Sequence, residues 1–288
     1  MSVVLALLAA LFAAFTSILA KIGIEKVNSN LATAVRTVVV VIMAFIMVVI
    51  TGEIEAIVSI SIKSLIFLIL SGLTTGLSWL CFFRAIQIGD VSKVVPIDKA
   101  SVVLTILLSF ILLHEPATLP VVSGGIVISI GTFVLMERQK KYTDKKRINT
   151  KSYLFLAILS AIFATFTNIL AKVGMEVVDS NVATFIRTVV IILFAWGIVF
   201  FQGTIKELKE ISKKSYLFLL LSGAATGLSW LCYFGALAIG NVSVVNPIDK
   251  FSVVITMILS FIILKEKPTK RTITGAFLIT IGTGLLIL

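Results

Sequence analysis

The chain of 288 residues is 59% hydrophobic and only 14% charged, whereas soluble domains run roughly 45–50% apolar with about 25% charged residues. One soluble core cannot hide that much apolar surface, so a bilayer is the expected solvent. The net charge of +11 does not point to nucleic acid, because the basic residues gather in loops on one side. The single histidine and the two cysteines, Cys81 and Cys232, stand at no metal-ligating spacing.

Apolar stretches of about 20 residues are long enough to cross the hydrocarbon core. In chain order they fall at 3–22, 31–50, 64–88, 92–113 and 118–136, then at 153–173, 182–201, 215–239, 243–264 and 272–288. Backbone polar groups find no water inside a bilayer, and open strand edges would be left unsatisfied, so these stretches are predicted to be helices. The first lacks a basic leader and recurs in mid-chain, so it reads as a spanning helix rather than a signal peptide. The expected fold is an all-α integral membrane protein of ten transmembrane helices.

The two sets of five are one unit repeated. A shift of 151 residues aligns the chain on itself without a gap. ILAKIG at 18–23 meets ILAKVG at 169–174, and SNLATAVRTVVV at 29–40 meets SNVATFIRTVVI at 180–191. SGLTTGLSWLCFF at 71–83 meets SGAATGLSWLCYF at 222–234, and VVPIDKASVVLT at 94–105 meets VNPIDKFSVVIT at 245–256. The chain therefore divides into a first five-helix unit, 1–136, a basic linker, 137–151, and a second unit, 152–288.

Five spans are an odd number, so the second unit is predicted to enter the membrane from the opposite side. The charges test this separately. Lys26, Arg84 and Lys93 of the first unit become Val177, Gly235 and Val244 in the second. The second unit instead gains Lys206, Lys209, Lys213 and Lys214 in its second loop, and Lys265, Lys267, Lys270 and Arg271 in its fourth. All the gained positives and the linker fall on one face, which is expected to be cytoplasmic, with both termini outside. A multi-pass protein of the plasma membrane follows.

These segments carry a resemblance. Two five-helix units, each with a proline-led fourth helix ending near a glutamate (HEP at 114–116, KEKP at 265–268), resemble the EamA-type transporters of the drug/metabolite transporter superfamily. The motifs AKxG, SNxATxxRTVV, GLSWLC and PIDKxSVVxT also resemble single-unit, five-helix members of that group. The resemblance implies a ten-helix inverted-repeat carrier of small metabolites, often outward.

Ionisable residues inside spans are costly and mark functional candidates. Arg36 and Arg187 lie about six residues into their helices, a depth of about 9 Å. Asp98–Lys99 and Asp249–Lys250 lie about eight residues into the fourth helix of each unit, two residues beyond Pro96 and Pro247. A proline removes a backbone donor and bends its helix, which frees carbonyls toward a cavity. Arginine and aspartate of one unit share a depth, so an ion pair between its second and fourth helices is expected. The inverted layout turns these groups into two matched gates around a midplane site. Helix locking by Arg–Asp pairs is the alternative reading. The six groups sum to +2 when ionised, which favours an anionic or zwitterionic metabolite.

Trp79 and Trp230, with Ser78 and Ser229, lie midway along the third helices and read equally as cavity lining or as packing. SGLTTG and SGAATG read as small-residue faces for close helix approach. So do Gly124, Gly131, Gly275 and Gly282 of the last helices. Lys21 and Lys172 sit at helix ends and are expected to snorkel to the interface, with a place in the substrate site as the alternative reading. Asn30 and Asn181 are expected to cap the second helices, with a place in the substrate site as the alternative reading.

No phosphate loop, metal cluster or nucleophile–base pair is present in the sequence, so no cofactor, metal or enzymatic activity is expected. The resulting expectation is a secondary transporter, an exporter or antiporter working by alternating access, with Asp98 and Asp249 as candidate proton carriers. A flippase of a lipid-linked intermediate and a non-transporting membrane scaffold are the alternatives. The fused copies make a monomer sufficient, with a homodimer left open.

Overall fold

The computed structural model describes residues 1–24, 27–88, 101–134, 150–263 and 270–287, and among them all regular structure is helical. The first copy contributes α1 (Ser2–Ile24), α2 (Ser29–Ile50), the single turn α3 (Ile54–Val58), α4 (Ile62–Ile88), α5 (Ser101–Leu112) and α6 (Leu119–Val134). The second contributes α7 (Thr150–Gly174), α8 (Ser180–Gln202), a 3-10 turn (Thr204–Glu210), α9 (Lys213–Ile239), α10 (Val242–Asp249), α11 (Phe251–Ile263) and α12 (Lys270–Ile287). By length and composition, 7 segments can cross a membrane: those on α1, α2, α4, α7, α8 and α9, and Val242–Ile263, which joins α10 to α11. Three shorter apolar helices, Ser101–Leu112, Leu119–Val134 and Ile273–Ile287, accompany them. The fourth predicted stretch of the first copy, with Pro96, Asp98 and Lys99, is described only from Ser101 onward.

The ninth predicted helix is two. Pro247 lies inside α10 and has no N–H to give the preceding turn, and the helix ends at Asp249. Lys250 forms the junction, its N–H bonded to the Pro247 carbonyl at 3.0 Å, and α11 starts at Phe251. The caps of the second helices also differ from expectation. Asn28 accepts from the Asn30 N–H, and Asp179 accepts from the N–H groups of Asn181 and Val182. Asn28 and Asp179 are repeat equivalents, two residues ahead of the predicted caps. The Asn30 side chain instead donates to Gln202 Oε1 at 2.9 Å.

The two copies grip each other through equivalent contacts. α1 packs on α9 and α4 on α7, while α2 packs on α8 and α6 on α12. The contact of α1 with α9 recurs as that of α7 with α4, and the contact of α2 with α9 recurs as that of α8 with α4, with the roles of the copies exchanged. Ser71 Oγ donates to the Thr167 carbonyl at 2.7 Å, and its equivalent Ser222 Oγ donates to the Thr16 carbonyl at 2.9 Å. Ser78 Oγ reaches the Ser160 carbonyl at 3.1 Å, and Ser229 Oγ the Ala9 carbonyl at 2.9 Å. Membrane helices associate through packing and such hydroxyl bonds rather than through apolar burial, each bond contributing about 0.6 kcal/mol.

The equivalent helices α6 and α12 run antiparallel to each other. Gly124 faces Gly282 and Gly131 faces Gly275 across α6 and α12. A Cβ on Gly124 would sit 2.8 Å from the Gly282 carbonyl oxygen, and one on Gly131 would sit 2.9 Å from that of Gly275. Only glycine allows backbones this close. Alanines do similar work on α1, where Ala6, Ala9, Ala10 and Ala14 are fully buried. Large apolar residues face outward instead, among them Ile42, Phe45, Ile46 and Val49 on α2, as a helix in lipid requires.

Candidate functional site

The small residues of α4 let α8 come close enough for its arginine to cross into the first copy. A Cβ on Gly72 would lie 2.8 Å from Val190 Cβ and 3.1 Å from the Arg187 carbonyl. At that separation Arg187 Nε donates to Ser71 Oγ at 2.8 Å, and Nη2 donates to Thr75 Oγ1 at 3.4 Å. The guanidinium carbon lies 3.8 Å from the centroid of the Phe234 ring. Arg187 is 1% exposed, and its Nη1 has no hydrogen-bond partner among the described residues. The contacts of Arg36 mirror these in part. Its Nη2 donates to Thr226 Oγ1 at 2.8 Å, and its buried Nε has no partner among the described residues.

Both guanidinium groups open on cavities. The larger, about 330 Å³, is lined by Thr75, Trp79, Arg187, Trp230, Asp249 and Lys250, together with Asn168, Tyr233 and Asn246. The smaller, about 260 Å³, is lined by Arg36, Thr226, Thr16, Trp79 and Trp230. Shifting the numbers by 151 turns the arginine, threonine and tryptophan lining of one into that of the other. The tryptophans, 6.0 Å apart between ring centroids and inclined at 40°, belong to both linings and form the wall between them. They pack against each other and line both cavities.

Several sequence expectations change here. The hydrogen bonds of Arg187 run to hydroxyls of the other copy, and the expected in-copy ion pair with Asp249 is not among them. Asp249 and Lys250 reach the larger cavity because the helix breaks beneath them. Pro96, Asp98 and Lys99, and the side chain of Lys21, lie outside the described residues. Ser78 and Ser229 border the larger cavity while tying α4 to α7 and α9 to α1.

Lys172 does not snorkel. Its ammonium group turns inward and donates to the carbonyls of Leu237 and Gly240, at the C-terminus of α9. On the other side of the same elbow, the Glu115 carboxylate accepts from the N–H groups of Val242 at 2.6 Å and Ser243 at 2.8 Å. A cation on the carbonyl end of one helix and an anion on the amide end of the next match both helix dipoles. His114, in the left-handed region at φ 52°, turns the chain that presents Glu115. This cross-copy clamp sets the angle between α9, which carries Trp230 and Tyr233, and α10, which carries Asn246 and Asp249.

The geometry is that of a bilayer protein with paired internal cavities, and comparison with known proteins agrees. The model of the EamA-like transporter family matches residues 1–137 and again residues 151–288. The chain belongs to the EamA-like transporter family. It is 43% identical over 137 residues to an uncharacterized transporter in the cobO 3' region of Sinorhizobium sp., a match spanning 48% of this chain and 97% of the relative. A solved crystal structure superposes with a TM-score of 0.81 over 99% of this chain and 96% of its own, at 16% identity, which shows the fold. This EamA-like chain is thus a multi-pass membrane transporter with an internal duplication, and its family points to transport rather than to catalysis.

Sequence reasoning passed over Asn168, Tyr233 and Asn246, and used Glu115 only as a motif residue without a role in the site. The signal for the first three lay in the repeat itself. Their counterparts are Ser17, Phe82 and Val95, so each is a place where the second copy is the more polar or the larger.

Proposed function

We propose that this transporter is a secondary active carrier, an exporter or antiporter, of a small anionic or zwitterionic metabolite. Two five-helix halves of opposite orientation, ten spans in all, alternate access to a central site. The linker 137–151 is cytoplasmic and the termini are outside, in the plasma membrane, and a monomer suffices. The observation that carries this reading is the pair of matched cavities, each lined by a buried guanidinium whose hydrogen bonds, among the described residues, run to hydroxyls of the other copy. A buried cation of this kind is stabilised when a substrate anion supplies the missing partner. The tryptophan wall between the cavities supports alternation: substrate on one side is shielded from the other until the helices bearing the wall shift. Asp249, in the same cavity at a helix break, is the candidate for proton coupling.

Counterflow in proteoliposomes tests the reading. Protein loaded with a mixture of amino acids and organic acids should exchange labelled members of that mixture. Arg187→Met should abolish the exchange. Preferential exchange of organic cations would refute the anion reading, and intact exchange in the variant would refute the role of the guanidinium.

A further inference from the structure

Between α8 and α9 the chain turns through a short hook, and the duplication supplies its own comparison. α8 ends at Gln202, Gly203 takes the left-handed region at φ 69°, and the 3-10 turn runs from Thr204 to Glu210. The first copy makes an equivalent turn, where Gly52 at φ 75° leads into α3. The apolar spacing is the same in both: Ile54, Ile57 and Ile60 correspond to Ile205, Leu208 and Ile211. A 3-10 helix has three residues per turn, so side chains three apart stack in one column. The column of Ile205, Leu208 and Ile211 packs on Leu31 and Ala34 of α2 and on Ala195 and Val199 of α8.

The side turned away from the protein is what has changed. Glu55, Val58 and Ile62 of the first copy become Lys206, Lys209 and Lys213. Val58 and Ile62 are 89% and 77% exposed, and the three lysines are exposed too. Residues 53–62 hold two glutamates and no lysine, whereas 204–213 hold three lysines and two glutamates, a change from net −2 to net +1. The charges on the hook are sorted, with Lys206 and Lys209 in one column and Glu207 and Glu210 in another. Among the described residues none of the three lysines forms an ion pair. Exposed apolar side chains flank them: Phe200 and Phe201 at the end of α8, the latter 94% exposed, and Tyr216 and Leu217 in the first turn of α9. In a bilayer such side chains sit in hydrocarbon or at its border, which sets the lysines at the height of the lipid phosphates. We propose that this hook binds the headgroups of anionic phospholipids, with Lys206, Lys209 and Lys213 supplying the charge and Phe200 and Phe201 meeting the acyl chains. A loop that only sets topology needs positive charge but no folded surface. Here the charge is sorted onto one face and held there by a packed apolar column. The cytoplasmic leaflet follows from the orientation proposed above; the binding depends neither on that orientation nor on the substrate.

Trp196 reports on the site. Its ring centroid lies 6.1 Å from that of Phe200, and it packs in the same cluster as Ile205, Leu208 and Ile211. With Trp79→Phe and Trp230→Phe it is the one tryptophan left in the full chain. The protein is placed in nanodiscs of mixed phosphatidylglycerol and phosphatidylcholine, with the acyl chains of one or the other brominated, so that the lipid in contact quenches Trp196. A lysine near an anionic surface gives about a fivefold preference, and the two glutamates offset part of the total. Phosphatidylglycerol should therefore be preferred about fivefold or more. The preference should collapse at about 1 M salt, where the Debye length is about 3 Å. Lys206→Gln, Lys209→Gln and Lys213→Gln together should abolish it. That variant should fold, because the lysines are exposed and the same turn forms in the first copy with glutamate, valine and isoleucine in their places. If the tryptophan background does not fold, native mass spectrometry of the wild-type and triple-glutamine chains replaces it; wild type should retain phosphatidylglycerol over phosphatidylcholine and the variant should not. Equal quenching or equal retention of the two lipids by the chain with its lysines, or a preference that persists in the triple variant, overturns the proposal. The nanodisc has the same lipids on both faces, so a protein of the opposite orientation would still show the preference, and only the leaflet would be reassigned.

Discussion

Replacing Arg187 by methionine separates a guanidinium that serves transport from one that holds helices together. Burying an ion costs several kcal/mol even after the protein relaxes. Against this stand two charged hydrogen bonds, to Ser71 and Thr75, at about 1.5–3 kcal/mol each. The Thr75 bond, at 3.4 Å, belongs at or below the bottom of that range. The Phe234 face adds about 2 kcal/mol. The opposing sums are of similar size. The hydroxyls also keep their own acceptors: Ser71 still donates to the Thr167 carbonyl and Thr75 to the Ser71 carbonyl. Methionine fills much of the volume and orphans no donor, so Arg187→Met should change stability by no more than about 2 kcal/mol. At about 2–4 °C per kcal/mol, that is a few degrees in Tm. Flux per folded molecule should vanish. The assay pairs thermal unfolding in detergent with counterflow on the same preparation. A loss of about 3–5 kcal/mol, as for a broken buried ion pair, with flux per folded molecule retained, would refute the reasoning and make the residue a structural lock.

Glu115→Ala should destabilise by about 2–3 kcal/mol through loss of two charge-assisted cap bonds on α10, with Glu115→Gln intermediate; thermal unfolding ranks the three proteins. Gly131→Ala should cost about 1–3 kcal/mol, since its new Cβ meets the backbone of α12 at 2.9 Å. Gly197→Ala, where nothing lies within 4 Å, should be neutral within about 0.5 kcal/mol, and unfolding midpoints check the pair. Trp79→Ala should join the two cavities, raising passive leak of a small labelled acid from proteoliposomes while lowering gradient-driven uptake; a tight vesicle with normal uptake would contradict the wall between them.

The helices, the duplication and the membrane class are legible in the residues because each depends on local or one-dimensional information. About 20 apolar residues in a row are a span wherever the neighbours lie, and a repeat needs only the chain compared with itself. Depth is legible in the same way, which is how Arg187 and Asp249 were read as level with each other. Depth does not give the direction a side chain takes around its helix or the helix it meets. Those depend on the packing of copy on copy, so only the tertiary structure decided that Arg187 reaches Ser71 and Thr75. The same holds for Lys172, where position at a helix end suggested a side chain leaving for the interface. The carbonyls it binds belong to α9, 65–68 residues further along the chain. Asn168, Tyr233 and Asn246 show the limit most sharply. In sequence they are three modest mismatches scattered over 79 residues of the repeat, and they become one hydrogen-bonded chain only when α7, α9 and α10 close around a common cavity.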